Sequence, residues 1–345
     1  MRHKNFFTLQ ILFIILLPST LFTYCKPDEP IQQVNNWQTI YQDSTVWMSH
    51  IRFLDKNTGF VLAGNTNAID SLRGRQFIFK TTDAGRTWAK YASKYPTYND
   101  VARIIVPLNE NILIAGCYSL YKSTDNGLNW NILNPNYKGL NIFDIYMKDS
   151  LNWILADGND ITFTNDGGLT FKKVLTTDFN APFSHLSFPT NMVGYACGGA
   201  NDDYTAFGFI AKTIDGGQSW NILNPEPWNS NNKTFPTPNA IQFITEQIGF
   251  IFTINGEIYK TIDGGCYWTI IPKIISTSGY FFSEDKGYST NTKNIYKTND
   301  GGKTWDIDFT IPSNSNNSYI LDMCFLKSGE GFAITPDSKI IKKNY

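Results

Sequence analysis

From residue 36 onward, short apolar runs alternate with clusters of Gly, Asn, Asp, Ser and Thr, and no apolar face recurs at helical spacing. Phe207-Gly208-Phe209-Ile210-Ala211 leads into one such cluster and Trp220-Asn221-Ile222-Leu223 leads out of it. That alternation predicts strand, tight turn, strand. The cluster between them, Lys212 to Trp220, is one of six copies of a single pattern. The others run Thr81 to Trp88, Ser123 to Trp130, Thr164 to Phe171, Thr261 to Trp268 and Thr298 to Trp305. Each has a hydroxyl residue, an Asp two later, a Gly two after that, and an aromatic three after the Gly.

Turn chemistry accounts for those residue types. Asp and Ser/Thr side chains bond nearby backbone amides, and Gly supplies a positive φ where the chain reverses. The closing aromatic is placed to bury its ring beneath the turn. Asp83, Asp125, Asp166, Asp215, Asp263 and Asp300 are therefore expected to be structural. A reading of them as metal ligands or catalytic acids would demand six active sites around one chain, and no metal or cofactor is expected.

The period sets the fold. These aspartates are spaced 42, 41, 49, 48 and 37 residues apart, and a repeat of about 40–50 residues with four short strands is a propeller blade. A second signal keeps register with the first. Gly-aromatic pairs at Gly59-Phe60, Gly194-Tyr195, Gly249-Phe250, Gly287-Tyr288 and Gly331-Phe332 each follow a Phe six residues earlier: Phe53, Phe188, Phe243, Phe281 and Phe325. Tyr319 to Lys343 carries three strands of a seventh unit without the turn or the outer strand. Asn36-Trp37-Gln38-Thr39-Ile40 matches the missing strand. The expected architecture is all-β: a seven-bladed β-propeller over residues 36–345, with four-stranded antiparallel blades and a ring closed by its N-terminal strand. Closure removes an open edge.

The N-terminal stretch reads differently. Met1-Arg2-His3-Lys4 is basic and Phe6 to Leu17 is apolar, long enough for a signal peptide but short of a membrane span of about 20 residues. Leu21-Phe22-Thr23-Tyr24-Cys25 resembles a bacterial lipoprotein signal, so residues 1–25 are expected to be a signal of that type, lipidated at Cys25. Residues 26–35 would then be a polar tether. An ordinary secretory signal is the alternative, and either exports the chain to the cell envelope or surface. Net charge is −1, which removes the electrostatic case for nucleic acid. Besides Cys25, the cysteines Cys117, Cys197, Cys266 and Cys324 fall in four different units, and buried free thiols are expected.

In its fullest form, Thr298 to Trp305, the turn pattern resembles the Asp-box of sialidase-type (bacterial neuraminidase) repeats. Together with the Gly-aromatic strand, it resembles the photosystem II stability/assembly factor family and its relatives in non-photosynthetic bacteria. That resemblance covers the mature chain and implies a protein-binding scaffold without catalysis. The arginine-rich surface of the photosynthetic members is not carried over, because this chain has six Arg and the last is Arg103. The same box occurs in sialidases, whose three-arginine clamp this chain does not supply from several blades. A two-carboxylate glycoside hydrolase of the propeller type remains the alternative.

One set of residues points to a site. Three positions before the aligned inner-strand apolar residue stand His50, Arg103, Asp144, His185, Ala240, Ser278 and Asp322. The charged or titratable members, His50, Arg103, Asp144, His185 and Asp322, are expected to ring the channel mouth on the face opposite the boxes, where they meet a ligand or are simply solvated. The opposed histidines are expected to stand too far apart to share a metal ion. The connection Asn224 to Asn239, with Trp228 and Phe235, is the expected partner-contact loop. A monomer engaging a protein or glycan partner is the functional expectation.

Overall fold

A computed structural model describes residues 37–65, 76–95, 102–111, 113–116, 119–137, 139, 141–177, 181–201, 206–224, 226, 234–272, 274–276, 278–291, 293–312, 319–326 and 328–343. The expected signal, Cys25 and the tether lie outside these residues. The described strands form seven four-stranded antiparallel sheets, the blades of a β-propeller. Six blades take their strands consecutively, with inner strands Val46–Phe53, Ile104–Pro107, Ile142–Met147, Phe183–Ser187, Pro238–Phe243 and Ser278–Phe281. The seventh is composite. Its inner strand is Asp322–Phe325, and its outer strand is Trp37–Gln42, paired with the C-terminal strand Lys339–Lys343 from Trp37↔Lys343 to Gln42↔Lys339.

Each Gly-aromatic pair has a packing reason. Gly249 pairs with Phe243 across the first hairpin of its blade, and a Cβ on Gly249 would lie 2.6 Å from the Phe243 ring. Gly59 stands in the same way to Phe53, Gly287 to Phe281 and Gly331 to Phe325. The ring lies flat on bare backbone and stacks on the aromatic of the preceding blade. Tyr195 meets Phe243 at 3.4 Å between centroids, Phe250 meets Phe281 at 3.6 Å, and Phe332 meets Phe53 at 3.8 Å. The turn tryptophan completes the set edge-on. Trp268 stands at 86° to Phe243, and Trp88 at 89° to Phe53. These rings form the blade-to-blade core, where offset and T-shaped contacts add to area burial.

The six turns share one hydrogen-bond pattern. In the fourth blade Thr213 Oγ1 donates to Asp215 Oδ1 and accepts from Gly217 N at 3.0 Å. Asp215 also takes the amides of Gln218 and Ser219 and the Ser219 hydroxyl. Two consecutive left-handed residues reverse the chain, Gly216 and Gly217 here, with Ala84 and Asn126 in the first position of the first two blades. These bonds hold Asp83, Asp166 and Asp300 at a pKa of about 2, chiefly through Thr87, Thr170 and Thr304.

Trp37 supplies to the seventh blade what its missing turn would have brought. Its indole meets Phe325 at 6.1 Å and 85°, the geometry of Trp268 on Phe243. In the second, fourth and fifth blades the indole N–H donates to a turn carbonyl: Gly127, Gly217 or Gly265. Trp37 Nε1 donates instead to Asp308 Oδ2 at 2.7 Å, an oxygen that also receives Lys343 Nζ at 2.6 Å.

Candidate functional site

The inner strands present one edge to the propeller axis, and their edge amides need acceptors. Side chains of the preceding blade supply several of them. Asp322 Oδ2 accepts from Ile51 N at 3.0 Å, and His50 Nδ1 from Ile105 N at 3.2 Å. Asp144 Oδ2 accepts from Leu186 N at 2.9 Å, and Ser187 Oγ from Phe243 N at 2.8 Å. Gln242 both accepts from Phe281 N and donates to Phe281 O. Four of the five expected ring residues are therefore placed in the channel wall, within the inner strands rather than at the mouth, and three of these four fasten blade to blade.

Arg103 is not among them. In the second blade Pro107 pairs with Leu113 as Phe53 pairs with Gly59, so the position equivalent to His50 is Ile104. A one-residue offset moves a side chain to the other face of a strand. Arg103 accordingly lies exposed before its strand, donating to Asn141 Oδ1 at 3.2 Å. The arginine of the channel is Arg52, which the sequence reading missed. Alternation along a strand was the signal: residue 52 shares a face with residue 50.

Arg52 Nη1 lies 2.9 Å from Asp322 Oδ2, and His50 Nε2 lies 3.9 Å from the same oxygen. Because His50 Nδ1 accepts a backbone proton, the neutral ring carries its own on Nε2, toward Asp322. Burial, then Arg52 and then His185, holds the His50 imidazole well below the usual histidine range. Burial lowers His185 as well, against the pull of Asp144, with Arg52 adding to the depression and Asp322 opposing it. The two histidines act on each other electrostatically across the channel. His185 Nδ1 is shut off from solvent without a hydrogen-bond partner among the described residues. Arg52 uses only Nη1 in its hydrogen bonds there.

A cavity of about 310 Å3 opens along this wall, lined by His50, Arg52 and Asp144 with Ile104, Val106 and Tyr146. Its charges are already matched or tied to backbone, while donors on Arg52 remain. The arrangement suits an uncharged polar group such as an amide or hydroxyl. Among the described residues no group of three or more His, Cys, Asp and Glu is placed to hold a metal ion.

The other expected contacts fare differently. Phe235 is 7% exposed and packs with Trp268 and Tyr195 in the core, so it anchors the loop inward rather than a partner outward. Trp228 and Cys117 lie outside the described residues. Cys197 is buried as expected and Cys324 is half-buried, but Cys266 is exposed, because its position in the turn faces solvent in five of the six copies.

No family model matches the chain, and no curated protein matches it. Solved structures do. One described as YCF48 bound to D1 peptide aligns at a TM-score of 0.68 and 16% identity, over 90% of this chain and 97% of its own. YCF48 from Cyanidioschyzon merolae aligns at 0.64 and 16%, over 89% and 98%. A GH74 enzyme of Niastella koreensis aligns at 0.61 and 16%, over 83% of this chain but 50% of that one. What this chain shares with these proteins, at such identities, is the fold.

Proposed function

We propose that the protein is a non-catalytic binding propeller that holds a protein partner, in the manner of an assembly factor. The observation that carries this is the end-to-end structural match to YCF48, 97% of a chain that holds a D1 peptide. The GH74 enzyme is matched over only 50% of its length, so a substrate cleft built by a whole enzyme of that kind has no counterpart in the aligned half alone. The acids of this channel also argue for binding. Asp144 and Asp322 are spent on backbone amides of the next blade, whereas glycoside hydrolysis needs one carboxyl free to donate a proton. The channel cavity is the proposed point of contact, taking an amide or hydroxyl of the partner against Arg52. Residues 1–25 are proposed as the export signal, Cys25 as the lipidated residue, and the cell envelope as the location.

The test is affinity capture with cross-linking from native membranes, using the full chain tagged at its C-terminus. A partner recovered with the wild type and lost with Arg52→Gln, in a variant that still melts as one folded species, supports the proposal. Release of reducing sugar from xyloglucan or sialosides by the purified chain overturns it.

A further inference from the structure

The turn-bearing face carries a second feature, at the junction of the second and third blades. One residue before the turn, five blades have a lysine, Lys80, Lys122, Lys212, Lys260 and Lys297, and the seventh blade, which lacks the turn, has Lys342 at the equivalent strand position. Most of these bridge forward to the next blade. Lys80 Nζ donates to Asn126 Oδ1, Lys212 Nζ to Gly264 O, and Lys342 Nζ to Ala84 O, while Lys260 pairs with Glu284 at 2.9 Å. The same four lie over aromatic rings of their own blades: Phe60, Tyr195, Phe332 and Phe250. Lys297 pairs with Asp308 at 3.3 Å.

Lys122 differs. Its blade has Leu113-Ile114 where five of the others have Gly-aromatic, the next blade has Trp153-Ile154 there, and Met147 stands where that blade would present a Phe. The ring stack is interrupted there, and the groove stays open as a cleft of about 690 Å3. Leu133, Met147 and Trp153 form part of its wall, and Leu151 and Leu169 stand at its lip, 52% and 65% exposed. Lys122 and Lys148 line it, and neither ammonium has a hydrogen-bond or ion-pair partner among the described residues. Its two acids are spent. Asp149 takes the amides of Leu151 and Asn152, and Asp166 takes Thr164 and Thr170.

We propose that this cleft is a docking site for a protein segment that places an apolar side chain beside an acidic residue. Exposed leucines over an apolar floor recruit the first, as partly buried apolar anchors do at interfaces. Two ammonium groups without a direct ion-pair partner recruit the second, since the cleft's own carboxylates are held on their turns, and charge complementarity fixes register and partner choice. The site is distinct from the channel, so one scaffold grips a partner at two places, or two partners at once.

A random-peptide display library selected on the purified chain tests this. Enrichment of Leu, Phe or Trp next to Asp or Glu is expected, with binding about tenfold weaker or worse to Lys122→Glu and to Leu169→Asp. Both side chains reach solvent, so melting temperature should hold, and Lys260→Glu should leave binding unchanged because that lysine is already paired. Peptides that bind Lys122→Glu and Leu169→Asp as well as wild type overturn the proposal. So does enrichment without acidic residues, or no enrichment at all. Peptides lost on Arg52→Gln but kept on Lys122→Glu would assign them to the channel and overturn the proposal for the cleft.

Discussion

Arg52 and Asp322, on the inner strands of the first and last blades, stand 2.9 Å apart and close the channel wall across the seam of the ring. The same Asp322 oxygen takes the Ile51 amide, and its partner oxygen takes Met323 N. Asp322→Ala should cost about 2–3 kcal/mol by leaving two amides and a guanidinium unmet. Arg52→Met should cost less, about 1 kcal/mol, since its side chain is 36% exposed and the carboxylate keeps its amides. Urea unfolding of both single variants and the double variant measures the coupling. An Arg52→Met cost equal to that of Asp322→Ala would show that the ion pair, and not the amide bonds, holds the seam.

Gly249→Ala should destabilise by about 1–3 kcal/mol, because the new methyl meets the Phe243 ring and forces it off Tyr195. Thermal melting checks this directly. A neutral result would mean that the stack has room to slide.

The turns are expected to hold fold rather than ligand. Asp215→Ala removes the acceptor of two amides and two hydroxyls and should cost about 1–3 kcal/mol. Trp37→Ala should cost about 3–5 kcal/mol, since Trp37 is 2% exposed and seals the composite blade. Full stability in the Asp215 variant, with any binding lost, would turn the boxes into functional groups.

Acid should destabilise the protein in two stages. His50 and His185 have folded-state pKa values below the ordinary 6.5, so the folded state binds fewer protons than the unfolded. Stability is complete above that value and declines as pH falls below it. Asp83, Asp166 and Asp300 drop from 3.8 to about 2 on folding, so their contribution is lost as pH falls from 3.8 toward 2. His50→Gln together with His185→Gln should flatten the upper stage only. An unchanged profile in that variant would remove the histidines from the account.

Lipidation is checked by metabolic labelling with a fatty-acid analogue, which should tag the wild type and not Cys25→Ser. Equal labelling of both sinks the assignment.

Much of the fold was legible because each blade spells its packing locally. Phe53 and Gly59, six apart, are partners across one hairpin, so a ring and the bare backbone it needs appear as a spacing. Trp37 was legible by likeness to Trp220. The site was less so. Polar residues on the inner strands announce that something polar faces the axis, but only pairing shows that His50 serves Ile105 and that Arg103 slips off the face. Phe235 misled for a related reason: an aromatic in a connection looks exposed until the neighbouring blade is built against it.

The pairing of Trp37 with Lys343 also sets a timetable. A chain made from its N-terminus releases this strand well before the strand it pairs with, so the seam waits until Lys343 has been made. The six consecutive blades have only local contacts to find, whereas the composite one carries the longest loop-closure entropy in the molecule. Until then Trp37 and the edge of Lys339–Lys343 are unburied apolar and unpaired surface, the moment of greatest exposure to aggregation. Refolding from urea should therefore show blade formation ahead of a slower phase seen by Trp37 fluorescence, with the slow phase abolished when the first strand is fused after the last.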